Sequence, residues 1–175
     1  MLKMIKPRMM FAHMRSAAAY GVTSYARRLQ VGCVIVNPET DQPVAIGWNG
    51  TPPGMPNVCE MEQHGQIVTN PCVIHAEENA LMRIPENADD FTGLVMFVTH
   101  SPCPDCTQKI IDNGKIDKVY YQEPYRIMDG IKRLMNSGIE VYRMVGDMAI
   151  LKHVFDDQGE VGYEQILSNP DKVRN

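Results

Sequence analysis

The sequence predicts a three-layer α/β/α domain built on a mixed sheet. Strand-like apolar runs alternate with segments of helical spacing, the pattern of a sheet covered on both faces. The chain has 175 residues, of which 44% are apolar, enough for one substantial core. No repeat, low-complexity tract or evident linker divides it. Residues 1–175 therefore read as one domain, with 146–175 a C-terminal extension that packs on the outside or on a neighbouring subunit.

The elements follow in order. MFAHMRSAAAYGVTSYARRLQ, residues 10–30, is the first helical stretch, with Phe11, Met14, Ala18 and Val22 at three- and four-residue steps and Gly21 a weak point. QVGCVIV (30–36) and PVAIGW (43–48) are strands joined through NPETDQ as a hairpin. Residues 49–72, dense in Pro, Gly and Asn, read as a loop long enough to be functional. HAEENALMR gives a short helix stopped by Pro85. LVMFVTH (94–100) is apolar enough for a strand covered on both sides. PDCTQKIIDN (104–113) opens with proline at the first helical position and closes on Asn113-Gly114. DKVYYQ (117–122), RIMDGIKRLMNSG (126–138) and IEVYRMV (139–145) add strand, helix and strand, which brings the sheet to five strands. The last 30 residues have weaker periodicity.

Composition excludes several functions. The amino-terminal MLKMIKPRMMFAHMR is interrupted by basic residues and Pro7, and no apolar run approaches the roughly 20 residues that span a bilayer. The expectation is a soluble cytoplasmic protein, in the host cytoplasm if viral, with no membrane partner. Seventeen basic against 21 acidic residues give a net charge of −4, without the basic stripe that grips a polyanion, so no nucleic-acid partner is expected. Five cysteines, an odd number in a chain without export signals, read as reduced or metal-bound thiols.

Cys103 and Cys106, in SPCPDC, stand where a strand passes into a helix. Thiolates at a helix amino terminus are stabilised by its free N–H groups and dipole, and a three-residue step puts both sulfurs on one face. The same C-x-x-C is also the mark of a redox pair, a reading that leaves His75 and Glu77 without a role. A structural zinc knuckle would need further ligands, for which Cys59, His64 and Cys72 are the candidates. With His75-Ala76-Glu77 opening the preceding helix, the order becomes H-x-E…P-C-x-x-C, the signature of zinc-dependent nucleobase deaminases. One imidazole and two thiolates leave Zn²⁺ formally uncharged with a fourth position open to water. Glu77, two residues past its neighbouring ligand, suits a proton shuttle that need not touch the metal. Taken singly, a first-turn glutamate is a solvated dipole partner and a lone histidine is filling; only the joint pattern points to catalysis. A deaminase acting on a polynucleotide and a zinc-stabilised binding module without turnover stand as rival readings.

VGCVIV, GWNGTPPG, HAEENAL, FVTHSPCPDCTQKIIDNG, KVYY and GIEVY, in that order, resemble the deoxycytidylate (dCMP) deaminases of the cytidine deaminase superfamily over residues 10–145. The most discriminating element is GWNGTPPG, similar to the family's G-Y-N-G-x-P-x-G segment. The resemblance implies a central five-stranded sheet flanked by helices. It implies hydrolysis of dCMP to dUMP and ammonia, supplying dUMP for thymidylate synthesis, with zinc on His75, Cys103 and Cys106 and Glu77 as proton shuttle. By the same resemblance, Asn49 lies near the deoxyribose, Ala76 and Ser101 meet the pyrimidine edge, and Arg27 and Tyr125 are candidates for the 5′-phosphate. Gly47, Trp48, Asn49 and Gly50 fall in the region that regulated members use for an effector, and Trp48 departs from the usual Tyr. The resemblance further implies a homohexamer activated by dCTP and inhibited by dTTP, with Mg²⁺ accompanying the bound triphosphate. Some relatives hold a second, structural zinc near such an insertion, where Cys59, His64 and Cys72 stand here.

Overall fold

Pro7 opens the first helix, α1 (Pro7–Gly21), where its missing N–H costs nothing, and Met10, Phe11, Met14 and Ala17 form its buried stripe. The computed structural model describes residues 5–86, 91–125 and 128–168. The helix stops at Gly21, short of the predicted Gln30, because α1 and the first strand cross with their backbones in contact. A Cβ on Gly32 would lie 1.8 Å from the Ala17 carbonyl oxygen, and one on Gly21 would lie 2.9 Å from the Gly32 nitrogen. Residues 22–31 turn and return the chain under the helix.

The remaining elements are β1 (Gly32–Asn37), β2 (Gln42–Trp48), β3 (Glu60–Gln63), β4 (Gln66–Thr69), α2 (Ala76–Leu81), β5 (Leu94–His100), α3 (Pro104–Asn113), β6 (Ile116–Glu123), α4 (Asp129–Asn136), β7 (Glu140–Val145), β8 (Ala149–Phe155) and β9 (Val161–Ser168). The main sheet has the order β2-β1-β5-β6-β7-β8-β9. β5, β6 and β7 are parallel, while β1 and β2 on one side and β8 and β9 on the other run antiparallel to their neighbours.

β5 alternates strictly between the two faces. Leu94, Met96 and Val98 join Ala76, Ala80, Ile110, Ile131 and Leu134 in one core beneath α2, α3 and α4. Val95 and Phe97 join Phe11, Met14, Tyr120, Tyr142 and Ile150 in the other, beneath α1. Both faces of the strand are buried, as its unbroken apolar run requires.

Two further expectations need correction. The sheet has seven strands, not five, because the C-terminal residues continue it as β8 and β9. β9 is exposed along much of its length, and β8 buries only Ile150 and His153, so neither carries a clear two-residue alternation. The expected loop 49–72 contains a separate hairpin, β3–β4, turning on His64 and Gly65 at positive φ. Its residues are mostly exposed, so its composition resembles a loop. The start of the helix predicted over 126–138 lies outside the described residues, and α4 occupies Asp129–Asn136.

Candidate active site

The site forms at the carboxyl end of β5, where the sheet changes from an antiparallel neighbour, β1, to a parallel one, β6. Such a switch opens a crevice that no strand fills. Two helix starts meet there. Cys103 caps α3, its sulfur accepting the Cys106 amide at 3.5 Å, and Pro104 sits in the first turn. His75 stands at the residue before α2, its side chain making no capping hydrogen bond, which places Glu77 in that helix's first turn.

His75 Nδ1 lies 3.5 Å from Cys103 Sγ and 3.4 Å from Cys106 Sγ, and the three donor atoms lie within 4.8 Å of one another. Tetrahedral zinc, with bonds of about 2.0–2.3 Å, holds such atoms about 3.5–3.8 Å apart, so the donor set fits Zn²⁺ in both chemistry and spacing. The thiols are free. The Cys106 thiol, with help from His75 and the Cys106 amide, holds the Cys103 sulfur down to about 4, whereas that negative neighbour and burial push Cys106 up. Hydrogen bonding to Cys103 raises His75, with burial opposing. Cys59, His64 and Cys72 do not assemble: among the described residues, only His75, Cys103 and Cys106 gather as a metal-binding set.

Glu77 is 4% exposed. Burial lifts its carboxyl to about 7, against the opposing pull of its own amide and of His75. That direction of shift is the one an acid–base catalyst working near neutral pH requires.

A cavity of about 400 Å³ opens over these groups. It is lined by Asn49, His75, Ala76, Glu77, Ser101, Cys103 and Tyr125, by Arg28 of the Arg27-Arg28 pair that the sequence offers for one phosphate, and by two residues not singled out from the sequence, Glu60 and His100. Arg27 lines the adjacent cavity instead, and Arg28 borders both. Asn49 stands in the wall with its side chain bound to main chain: Oδ1 accepts the Val31 amide at 2.8 Å and Nδ2 donates to the Leu29 carbonyl at 2.8 Å. It holds the 29–31 segment against β2 and keeps one amide hydrogen for another acceptor. Ser101 Oγ accepts the Tyr125 amide at 2.6 Å, holding Tyr125 at the cavity wall. His100 Nδ1 pairs with Thr99 Oγ1 at 3.0 Å, and burial lowers its basicity. Its position, directly before SPC, was the sequence signal available for it.

In the glycine-rich segment at the end of β2, Gly47 is closely packed while Gly50 faces open space. A Cβ on Gly47 would lie 2.4 Å from the Ala76 carbonyl oxygen, so β2 and α2 touch there. Gly50 bridges to Ile74. Trp48 stacks on Tyr20 with ring centroids 6.3 Å apart and carries the Arg83 guanidinium 4.8 Å from its own centroid.

A family model, the cytidine and deoxycytidylate deaminase zinc-binding region, matches residues 8–123. Among solved structures, the chain resembles dCMP deaminase from the cyanophage S-TIM5 in complex with dCMP and dUMP, at 42% identity and a TM-score of 0.72, covering 80% of this chain and 99% of that one. It is 30% identical to the deoxycytidylate deaminase of Enterobacteria phage T4 over 66% of this chain and 79% of the relative. Of the deoxycytidylate deaminase of Pongo abelii it spans little more than half the length, 57%, at 36% identity.

Proposed function

The chain belongs to the cytidine and deoxycytidylate deaminase family, and from that premise we propose that it hydrolyses dCMP to dUMP and ammonia. The observation that carries this reading is the convergence on one cavity of a His/Cys/Cys zinc set, a buried carboxyl poised near neutrality, and an arginine and a tyrosine at its wall. The 42% identical neighbour crystallised with dCMP and dUMP supports the choice of substrate.

In this reading His75 Nδ1, Cys103 Sγ and Cys106 Sγ hold the zinc, which when bound acts as a Lewis acid that eases ionisation of water at neutral pH. Glu77 takes the proton that the attacking water gives up and delivers it to the ring nitrogen N3. As the water oxygen bonds to C4, a second transfer through Glu77 carries the proton of the new C4 hydroxyl to the exocyclic amine. The C4–N bond then breaks and ammonia departs with the electron pair, leaving a C4 carbonyl. Burial keeps bulk water from competing for that proton. The backbone about Ala76 and Ser101 faces the pyrimidine edge, and the free Asn49 amide hydrogen faces the deoxyribose. Arg28 takes the 5′-phosphate role first expected of Arg27, with Tyr125 beside it; Arg28 is the arginine in the cavity wall. The family resemblance extends the reading to a homohexamer feeding thymidylate synthesis, regulated by dCTP and dTTP through residues 47–50. A rate curve indifferent to both triphosphates removes that extension.

The test is ammonia release by the zinc-loaded protein with dCMP, CMP, dCTP and deoxycytidine in parallel. Preferential turnover of dCMP is expected. Zinc bound at one per chain with no turnover of any cytosine compound would make the protein a zinc-stabilised binding module instead.

A further inference from the structure

Glu60 stands in the cavity wall beside Arg28. It opens β3, on the hairpin that, among the described residues, forms its own two-stranded sheet apart from the main one. Its Oε1 accepts two successive backbone amides, Arg27 N at 2.8 Å and Arg28 N at 3.1 Å. Across the hairpin, Thr69 pairs with Glu60 in register, and its Oγ1 takes the Arg28 guanidinium at 3.5 Å. The next amide back, Ala26 N, is already used by Ser24 Oγ at 3.1 Å.

Successive amides that converge on one oxygen, with guanidinium groups on the same two residues, form a cradle for an anion. Each amide has a single hydrogen, so a second anion entering the cradle must displace the first. An incoming phosphate oxygen and the Glu60 carboxylate therefore compete for the same two donors, and with both present the two negative charges repel at close range. A neutral nucleoside needs neither amide and leaves Glu60 where it is.

Resting on the dCMP reading above, we propose that Glu60 is a specificity-determining residue: its carboxylate holds the two amides that a substrate phosphate takes, so that phosphate-bearing ligands enter by exchange of one anion for another while neutral nucleosides do not. The exchange turns the Glu60 carboxylate away from the two amides and leaves Arg28, already exposed in the cavity wall, beside the phosphate. Glu60 thereby sets how strongly the cavity distinguishes nucleotide from nucleoside.

The experiment compares the zinc-loaded protein with its Glu60→Gln variant, whose amide oxygen still accepts hydrogen bonds but carries no charge. Since hydrogen bonds to an ionised acceptor are about twice as strong as neutral ones, KM for dCMP is expected to fall about three- to tenfold while KM for deoxycytidine does not follow. A rise in KM for dCMP, or an equal fall for both substrates, overturns the proposal. A second arm follows the backbone amide resonances of Arg27 and Arg28 as inorganic phosphate is added. Both should move, at lower phosphate in the variant; amides that stay still, or move alike in both proteins, overturn it. This arm needs no turnover, so absence of dCMP deamination would end the functional reading and still leave the role of Glu60 decided.

Discussion

Glu77 and His153 are both buried ionisable groups, but burial acts on them in opposite senses. It lifts the carboxyl of Glu77 to about 7 and lowers the imidazole of His153 to about 4, with Arg143 adding to the second effect. His153 lies between Tyr121 and Tyr163, its Nε2 2.8 Å from the Tyr121 hydroxyl. A histidine near 6.5 when unfolded and about 4 when folded binds more protons in the unfolded state between those values, so stability rises with pH through that window. It is fully present above about 6.5 and lost as pH falls toward 4, by at most about 3 kcal/mol. Glu77, raised to about 7, acts in the opposite sense over the same range, so the His153 contribution is read as a difference: in urea unfolding at pH 7 and pH 4.5, the parent should lose more stability on acidification, or gain less, than its His153→Gln variant. At this scale the zinc set was legible because each half of its pattern is local to one helix start. The Arg27-Arg28 pair was legible as a phosphate holder, but Glu60 and the choice of Arg28 over Arg27 were not, since they depend on a mostly exposed hairpin folding back on the 26–28 turn.

At the scale of elements, the close contact of β2 with α2 matters most, because α2 follows His75 and carries Glu77. Adding a methyl group at Gly47 sets it against the Ala76 carbonyl and the Ala80 amide, which are backbone and cannot rotate away. Gly47→Ala should cost about 1–3 kcal/mol in urea unfolding and also lower turnover of dCMP, as α2 is pushed off the sheet. Gly162→Ala, whose Cβ meets nothing nearer than the Val154 carbonyl at 3.9 Å, should do neither. β5 and α3 were legible to the residue: the strand's apolar run and the helix's proline and glycine punctuation are each complete within the segment. α1 was overextended because the backbone contact that ends it, Gly21 on Gly32, is tertiary.

For the whole molecule, the sheet separates two cores. The site rests on the face packed by α2, α3 and α4, while Ile150 of the C-terminal strands is buried in the other core with Phe97 and Tyr142. Ile150→Ala should therefore cost about 2–5 kcal/mol of stability yet leave turnover per folded molecule unchanged. The layered class was legible from the alternation of elements, but the sixth and seventh strands were not, because strands with so few buried side chains leave a weak periodic mark. The central claim is that the zinc centre and Glu77 together deaminate dCMP. Its most direct test is dUMP formation by the zinc-loaded protein and its Glu77→Gln variant, with zinc per chain measured in the same samples. The account predicts about one zinc in each and a variant rate lower by about 10²–10⁴. A variant that turns over dCMP like the parent, or a parent with full zinc and no dUMP, would contradict it.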